Sequence, residues 1–493
     1  MSRDLPARPN LEHLKKQAKE TLRSLASGAT LADAQHLLAR EYGFATWAAL
    51  KTRVEALAHA ADPWEMLATA VRANDTTRAA QLFRRHPELD AVLHSPLPGS
   101  PFGATVFEPA VRWENLEMID LLLRHGADIN ARSQWWAGGF GVLDSCDPQF
   151  APALIERGAT VDAHAAARLG MLETLDVLVS ATPDLVHARG GDGQTPLHVA
   201  RTIEVAQYLL DHGADPDVRD IDHESTPAQY MVRDRQGIAR LLVRRGCHTD
   251  ILLAAALGEV GIVRRCLFDD PASVRTRVSA EYFPMRNPRA GGTIYNWTLG
   301  RNRTAHAVAR EFCHEDIVRL LMEWSSDELK LARACDLGDD DVCTALLARR
   351  PDLVHTLSDD ERRQLADAAQ RNDIGAVRRM LNAGWPVDAR GGDNGGTALH
   401  IASWFGDVEM VRELLRHGAP VDVRGDAFDS PPLGWSLHGS RHSWRKDEGD
   451  YVATVEALLE AGATAPEVTS DLDVSAPVRE VLRRFADRAR AAR

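Results

Sequence analysis

His438 and His442 stand four residues apart in this sequence. On a helix they share a face, and imidazoles at that spacing can ligate one metal ion if Asp447 or Asp450 completes the set. Gly439 between them and the lack of an HExxH pattern weigh against a metal centre. Ser440 lies beside His438, yet no strand-serine-helix elbow presents it as a nucleophile. Gly291-Gly292-Thr293 has neither the lysine nor the spacing of a phosphate-binding loop. The residues therefore assign no catalytic group, no metal and no cofactor, and the chain reads as a non-enzyme.

Recognition chemistry is better represented, in three segments where aromatic residues and glycines cluster. Residues 133–144 carry Trp135, Trp136 and Phe140; residues 282–300 carry Tyr282, Arg286, Tyr295 and Trp297; residues 434–451 carry Trp435, His438, Arg441, His442 and Trp444. These segments hold five of the eleven tryptophans. Aromatic rings flanked by glycine make rigid contact surfaces at low entropic cost, and Arg and His add directed hydrogen bonds. Trp404 joins them as a candidate. Two readings follow: the segments line a binding surface or pocket, or they pack on one another inside a curved array, since buried tryptophan is common.

The elements that must position these residues repeat along the chain. In Gly396-Thr397-Ala398-Leu399-His400-Ile401-Ala402-Ser403-Trp404-Phe405-Gly406, Thr397 can cap a helix and Gly406 can end it. A second helix follows, with apolar Val408, Val411, Leu414 and Leu415 on one face and Gly418 after it. So small a unit buries that face only against neighbours of its own kind. Thr195-Pro196-Leu197-His198 leading to Leu209-Leu210-Asp211-His212-Gly213-Ala214 repeats the grammar, as do Leu122 to Asn130, Leu154 to Asp162 and Leu458 to Ala463. This pattern, at a period near ~33 residues, resembles the ankyrin repeat.

The resemblance implies an all-α solenoid of about a dozen two-helix units with helical caps at both ends. It also implies structural roles for His198 and His400, and a concave face that binds proteins or peptides. Residues 31–50 resemble an amino-terminal module found ahead of ankyrin arrays in bacterial proteins. The expected division is a helical cap over 1–60, with a helix near Leu11 to Leu25 and a second region from Leu31 to Leu57. Repeats fill 61–276 and 301–464, the insertion 277–300 separates them, and a capping helix lies in 465–493. Pro87-Glu88-Leu89, Pro183-Asp184-Leu185 and Pro351-Asp352-Leu353 stand where Gly-Ala is expected, as a variant turn.

Composition narrows the partners. The net charge of −13 opposes nucleic acid and anionic membranes. Six scattered cysteines without Cys-x-x-Cys spacing read as small core residues in a reducing compartment. No apolar run approaches the ~20 residues of a membrane span, and no signal-peptide segment is evident at the start, so a cytoplasmic location is expected. The function expected is a non-enzymatic scaffold that takes a protein or peptide in its groove. The alternative is a small-molecule binding or catalytic pocket formed by segments 133–144, 282–300 and 434–451.

Overall fold

The computed structural model describes residues 11–24, 30–44, 46–392, 394–424, 428–469 and 472–491. The expected start of the chain and Leu25 lie outside them. The described chain is all-α, save for a two-stranded antiparallel hairpin in which Arg390–Gly391 pairs with Gly396–Thr397. No described helix is long and apolar enough to cross a membrane. Ile251–Leu257, the most apolar run, is a helix of only seven residues, buried on every side.

Contacts divide the chain into two compact units, Met1–Pro227 with Asn287–Gly291, and Ala228–Arg286 with Gly292–Arg493. In the first, helices Leu11–Ser24, Leu31–Glu41 and Trp47–Ala61 share a small core of Leu14, Ala18, Leu38, Tyr42, Leu50 and Val54. The single region expected from Leu31 to Leu57 is thus two helices. Helix pairs follow, with a continuous core from Leu67 to Ala165. In the second unit a core runs from Leu331 to Leu482, so that the terminal helix Ala476–Ala491 buries Val478, Val481 and Leu482.

Local chemistry fixes these pairs. The second helix of several units starts on an Asp or Asn whose side chain accepts the amide three residues on: Asp75 from Arg78 at 2.8 Å, Asn115 from Met118 at 2.9 Å, Asp407 from Met410 at 3.0 Å. Each such cap stabilises its helix by about 1 kcal/mol. First helices end on left-handed glycines, as at Gly170, Gly258, Gly338 and Gly406, where φ is 66–80° and a Cβ would strain the backbone. Where the second helix ends in Pro-Glu-Leu or Pro-Asp-Leu, proline opens a 3-10 turn instead, at Pro87–Val92 and Pro183–His187.

Several details depart from the sequence reading. On Val408–Arg416 the buried face is Met410, Val411 and Leu414, joined by Glu413, whose carboxylate accepts from Arg378 at 3.0 Å and Arg416 at 2.9 Å; Val408 and Leu415 are only half-buried. Cys313 is exposed, at a positive φ of 63° after Ala305–Glu311, and so is no core residue. The segment 434–451, expected from its glycines and aromatics to stand in for a repeat's first helix, carries that helix, lengthened to Pro432–His442.

Candidate functional site

Two helices of the second unit, Ala398–Phe405 and Pro432–His442, build a cavity. The first begins at Thr397, whose N–H and hydroxyl both meet Nδ1 of fully buried His400, at 3.1 and 2.9 Å. His400 Nε2 lies 3.2 Å from the Ser430 carbonyl, so Nε2 donates there while Nδ1 accepts. One imidazole thus ties the start of the first helix to the loop that feeds the next. Thr195, His198 and the Ser225 carbonyl repeat the device at 3.0–3.2 Å in the first unit.

Glycine sets the spacing between the two cavity helices. A Cβ on Gly439 would collide with the Trp404 carbonyl oxygen, and one on Gly449 with that of Phe405. Tyr451 then donates its hydroxyl hydrogen to the Trp404 carbonyl at 2.8 Å, which holds the end of the first helix in place. Gly439, which in sequence weighed against a metal centre, is the residue that lets the helix dock.

Between these elements lies a cavity of about 380 Å³, lined by Ile401, Trp404, Phe405, Phe428, Trp435, His438 and Trp444, with Gln370, Asn394 and Ser430 as polar neighbours. Trp435 is buried, edge-on to His400 at 5.2 Å and to Phe428 at 5.6 Å, and its indole N–H has no hydrogen-bond partner. Trp444 is 75% exposed and Phe428 is 63% exposed. Trp444 meets Phe405 at 5.2 Å and Trp404 at 6.3 Å. Large apolar rings left open to solvent are unusual enough to mark contact surfaces.

The rim is polar. His438 stacks on His442 at 4.3 Å and lies 5.7 Å from Trp404. Helical spacing therefore does put the two histidines together, but their acidic neighbour is Asp473, not Asp447 or Asp450. His442 Nε2 approaches Asp473 Oδ2 at 2.6 Å, and Arg441 pairs with the other oxygen. The His442 hydrogen bond, with Arg441 beside it, holds the Asp473 carboxyl below its usual range. Asp450 instead caps Tyr451–Glu460 by accepting from Ala453 at 3.0 Å. The three rim donors lie within 4.8 Å of one another, but all are exposed and Arg441 already neutralises the carboxylate.

The other sequence candidates fall elsewhere. In the second unit Tyr295 is an interior residue, edge-on to Phe283 at 5.3 Å, with its hydroxyl donating to Asp250 at 2.9 Å. Its enclosure removes it from any binding surface, a correction to its grouping with Trp297. Trp297 is 58% exposed in the turn Asn296–Gly300, Tyr282 packs under the Arg277 guanidinium at 5.2 Å, and Arg286 is exposed. None of these lines the cavity.

In the first unit Trp135 meets Phe102 at 4.7 Å and Trp136 at 6.1 Å, while Arg289 lies over the Trp136 ring at 4.5 Å. Segment 133–144 and the tip of the 282–300 insertion thus do come together. Phe140 packs on Gly191 and lines a second cavity of about 230 Å³ with Phe102 and Val111.

Sequence reasoning missed Phe405, Phe428 and Asp473. Phe405 occupies an ordinary helix position, and Phe428 and Asp473 sit in connecting segments with no periodicity to single them out.

Three family models match this chain. A model of the ankyrin repeat matches residues 110–134, one of ankyrin repeats (3 copies) matches 163–253, and one of ankyrin repeats (many copies) matches 365–415. No curated protein matches it. The matched stretches include Trp404 and Phe405 and stop before Trp435. Capped helix pairs, left-handed glycines and paired Thr-His links all agree with those matches, and the chain is an ankyrin-repeat protein.

Proposed function

We propose that this chain is a non-enzymatic interaction scaffold whose second unit takes an apolar side chain of a protein or peptide into the cavity between Ala398–Phe405 and Pro432–His442. The observation that carries the reading is the set of five aromatic rings, Trp404, Phe405, Phe428, Trp435 and Trp444, around about 380 Å³ of open space. Such rings dominate binding energies where they can be desolvated. The Trp435 indole N–H would gain an acceptor from the bound segment. Rigid repeats support such recognition because little order is lost on binding. The reading places the protein in the cytoplasm, where its scattered thiols stay reduced.

The test is selection of peptides from a random display library on the full chain, with the Trp444→Ala and Phe428→Ala variants as counter-selection. Enriched sequences that share one aromatic or large aliphatic residue and lose binding to both variants support the scaffold. A volume near 380 Å³ also suits a small apolar molecule. That second reading gains if no peptide is enriched while aromatic fragments raise the melting temperature of the parent chain and not of the variants.

A further inference from the structure

Four loops of the first unit meet: 135–138, 190–193, 220–225 and Asn287–Gly291. Asp192, held at a positive φ of 54°, donates its N–H to the Gly138 carbonyl at 3.3 Å. Its own carbonyl accepts from Ile221 at 2.8 Å and Asp222 at 3.1 Å, and Gly291 N–H donates to the Asp222 carbonyl at 2.9 Å. Glycine at 291 lets the insertion close in, since a Cβ there would stand 3.3 Å from both Asp222 Oδ2 and His223 Cε1. The backbone bonds therefore bring three side chains, from Asp192, Asp222 and His223, to one point.

Those side chains are not satisfied by one another. His223 Nε2 stands 3.6 Å from Asp222 Oδ2 and 3.9 Å from Asp192 Oδ2, beyond hydrogen-bond reach. Asp222 is 94% buried, and its Oδ1 has no partner at all. The neighbouring Asp220 offers no relief, because its two oxygens accept from His223 and Ser225 amides at 2.7 Å each. A buried carboxylate oxygen without a partner is costly unless a cation meets it.

We propose that Asp192, Asp222 and His223 hold a divalent cation of the zinc class. Donors each ~2.1 Å from one ion stand about 3.0–3.5 Å apart, so separations of 3.6 and 3.9 Å, with all three atoms within 4.8 Å, need only a small contraction. One imidazole with two carboxylates matches a borderline ion, whereas calcium takes about 6–8 oxygens that this cluster does not supply. The ion would tie the loop 190–193 to the loop 220–225, against which Gly291 of the insertion packs. Nothing in the repeat matches assigns such a role to these residues.

Zinc itself is the probe. The full chain, stripped with a chelator, is dialysed against zinc and its bound metal counted, in parallel with the Asp192→Asn, Asp222→Asn and Asp473→Asn variants. The expected result is an ion bound by the parent chain and by Asp473→Asn, and lost from both Asp192→Asn and Asp222→Asn. Zinc bound equally by all four chains, lost only with Asp473→Asn, or not bound by the parent chain would overturn the assignment. Should the two first-unit variants misfold by circular dichroism, paramagnetic cobalt decides it in the parent chain: it must broaden the His223 ring resonances, and broadening confined to His438 and His442 refutes the site.

Discussion

Lowering the pH from 7 to 5 should weaken the helix Ala305–Glu311 through one residue, His306. That histidine is fully buried. Its Nε2 donates to Ser325 Oγ at 3.1 Å, because the Ser325 hydroxyl hydrogen is committed to the Leu321 carbonyl at 2.8 Å. Its Nδ1 has no partner. At His198 and His400 the ring stands three residues after the capping threonine and Nδ1 accepts from it; here Thr304 caps Ala307, and the ring sits one residue too early. Burial first, and then the charge of Arg333, lower its pKa from 6.5 to about 3.

The sign follows from proton counting. Between about pH 3 and 6.5 the unfolded chain binds a proton at this residue and the folded chain does not, so stability falls as pH falls through that window. At ~1.4 kcal/mol per pH unit, the contribution lost between pH 7 and pH 5 is about 2 kcal/mol, rising to about 3 kcal/mol at pH 4. Repeat arrays open in stages, so the readout is hydrogen exchange at Val308 and Ala309 rather than a single global melt. Carboxylates titrate over the same range, and the variant His306→Gln, which keeps a donor for Ser325 and cannot titrate, removes their share. The parent chain should lose about 2 kcal/mol more than the variant on this change of pH. Equal losses in the two chains, or a folded-state titration of His306 near 6.5, would refute the argument.

Three further outcomes follow from the same geometry. Gly439→Ala, which in an open helix would add up to ~1 kcal/mol of stability, should instead cost about 2 kcal/mol, because its Cβ would collide with the Trp404 carbonyl; thermal unfolding and tryptophan fluorescence report both the loss and the displaced ring. Thr397→Ala should cost about 1 kcal/mol by denaturant titration, since the hydroxyl partner of His400 Nδ1 goes while the Thr397 N–H stays. Trp444→Ala should shift stability by less than about 0.5 kcal/mol, the ring being 75% exposed, yet abolish capture of selected peptides; a large loss of stability would make Trp444 a packing residue instead.

How far the residues alone disclose this molecule depends on the range of the interaction. Thr397, Gly406, Asp407 and Gly418 act within one turn of chain, so caps, helix ends and the two-helix unit can be read from spacing. The same holds for His438 and His442, whose shared face needs only helical geometry. Longer-range facts were not legible. Tyr295 looks like Trp297 in composition, and only the position of Asp250, forty-five residues earlier, makes it an interior hydrogen-bonding residue. Glycine was the most misleading residue type, because Gly439 is a helix breaker by local propensity and a docking requirement once Trp404 lies against it.

That contrast explains where the candidate sites arose. Each is built on a residue that breaks the repeat locally and is compensated by a partner distant in sequence: Gly439 by Trp404, Gly291 by Asp222, and His442 by Asp473. A repeat tolerates such departures because each unit needs only its immediate neighbours to stay stacked, so a lengthened first helix or an inserted loop costs little elsewhere. Locally disfavoured residues held by remote contacts are therefore the positions at which this chain departs from the repeat, and they are the positions that repeat spacing alone leaves unassigned.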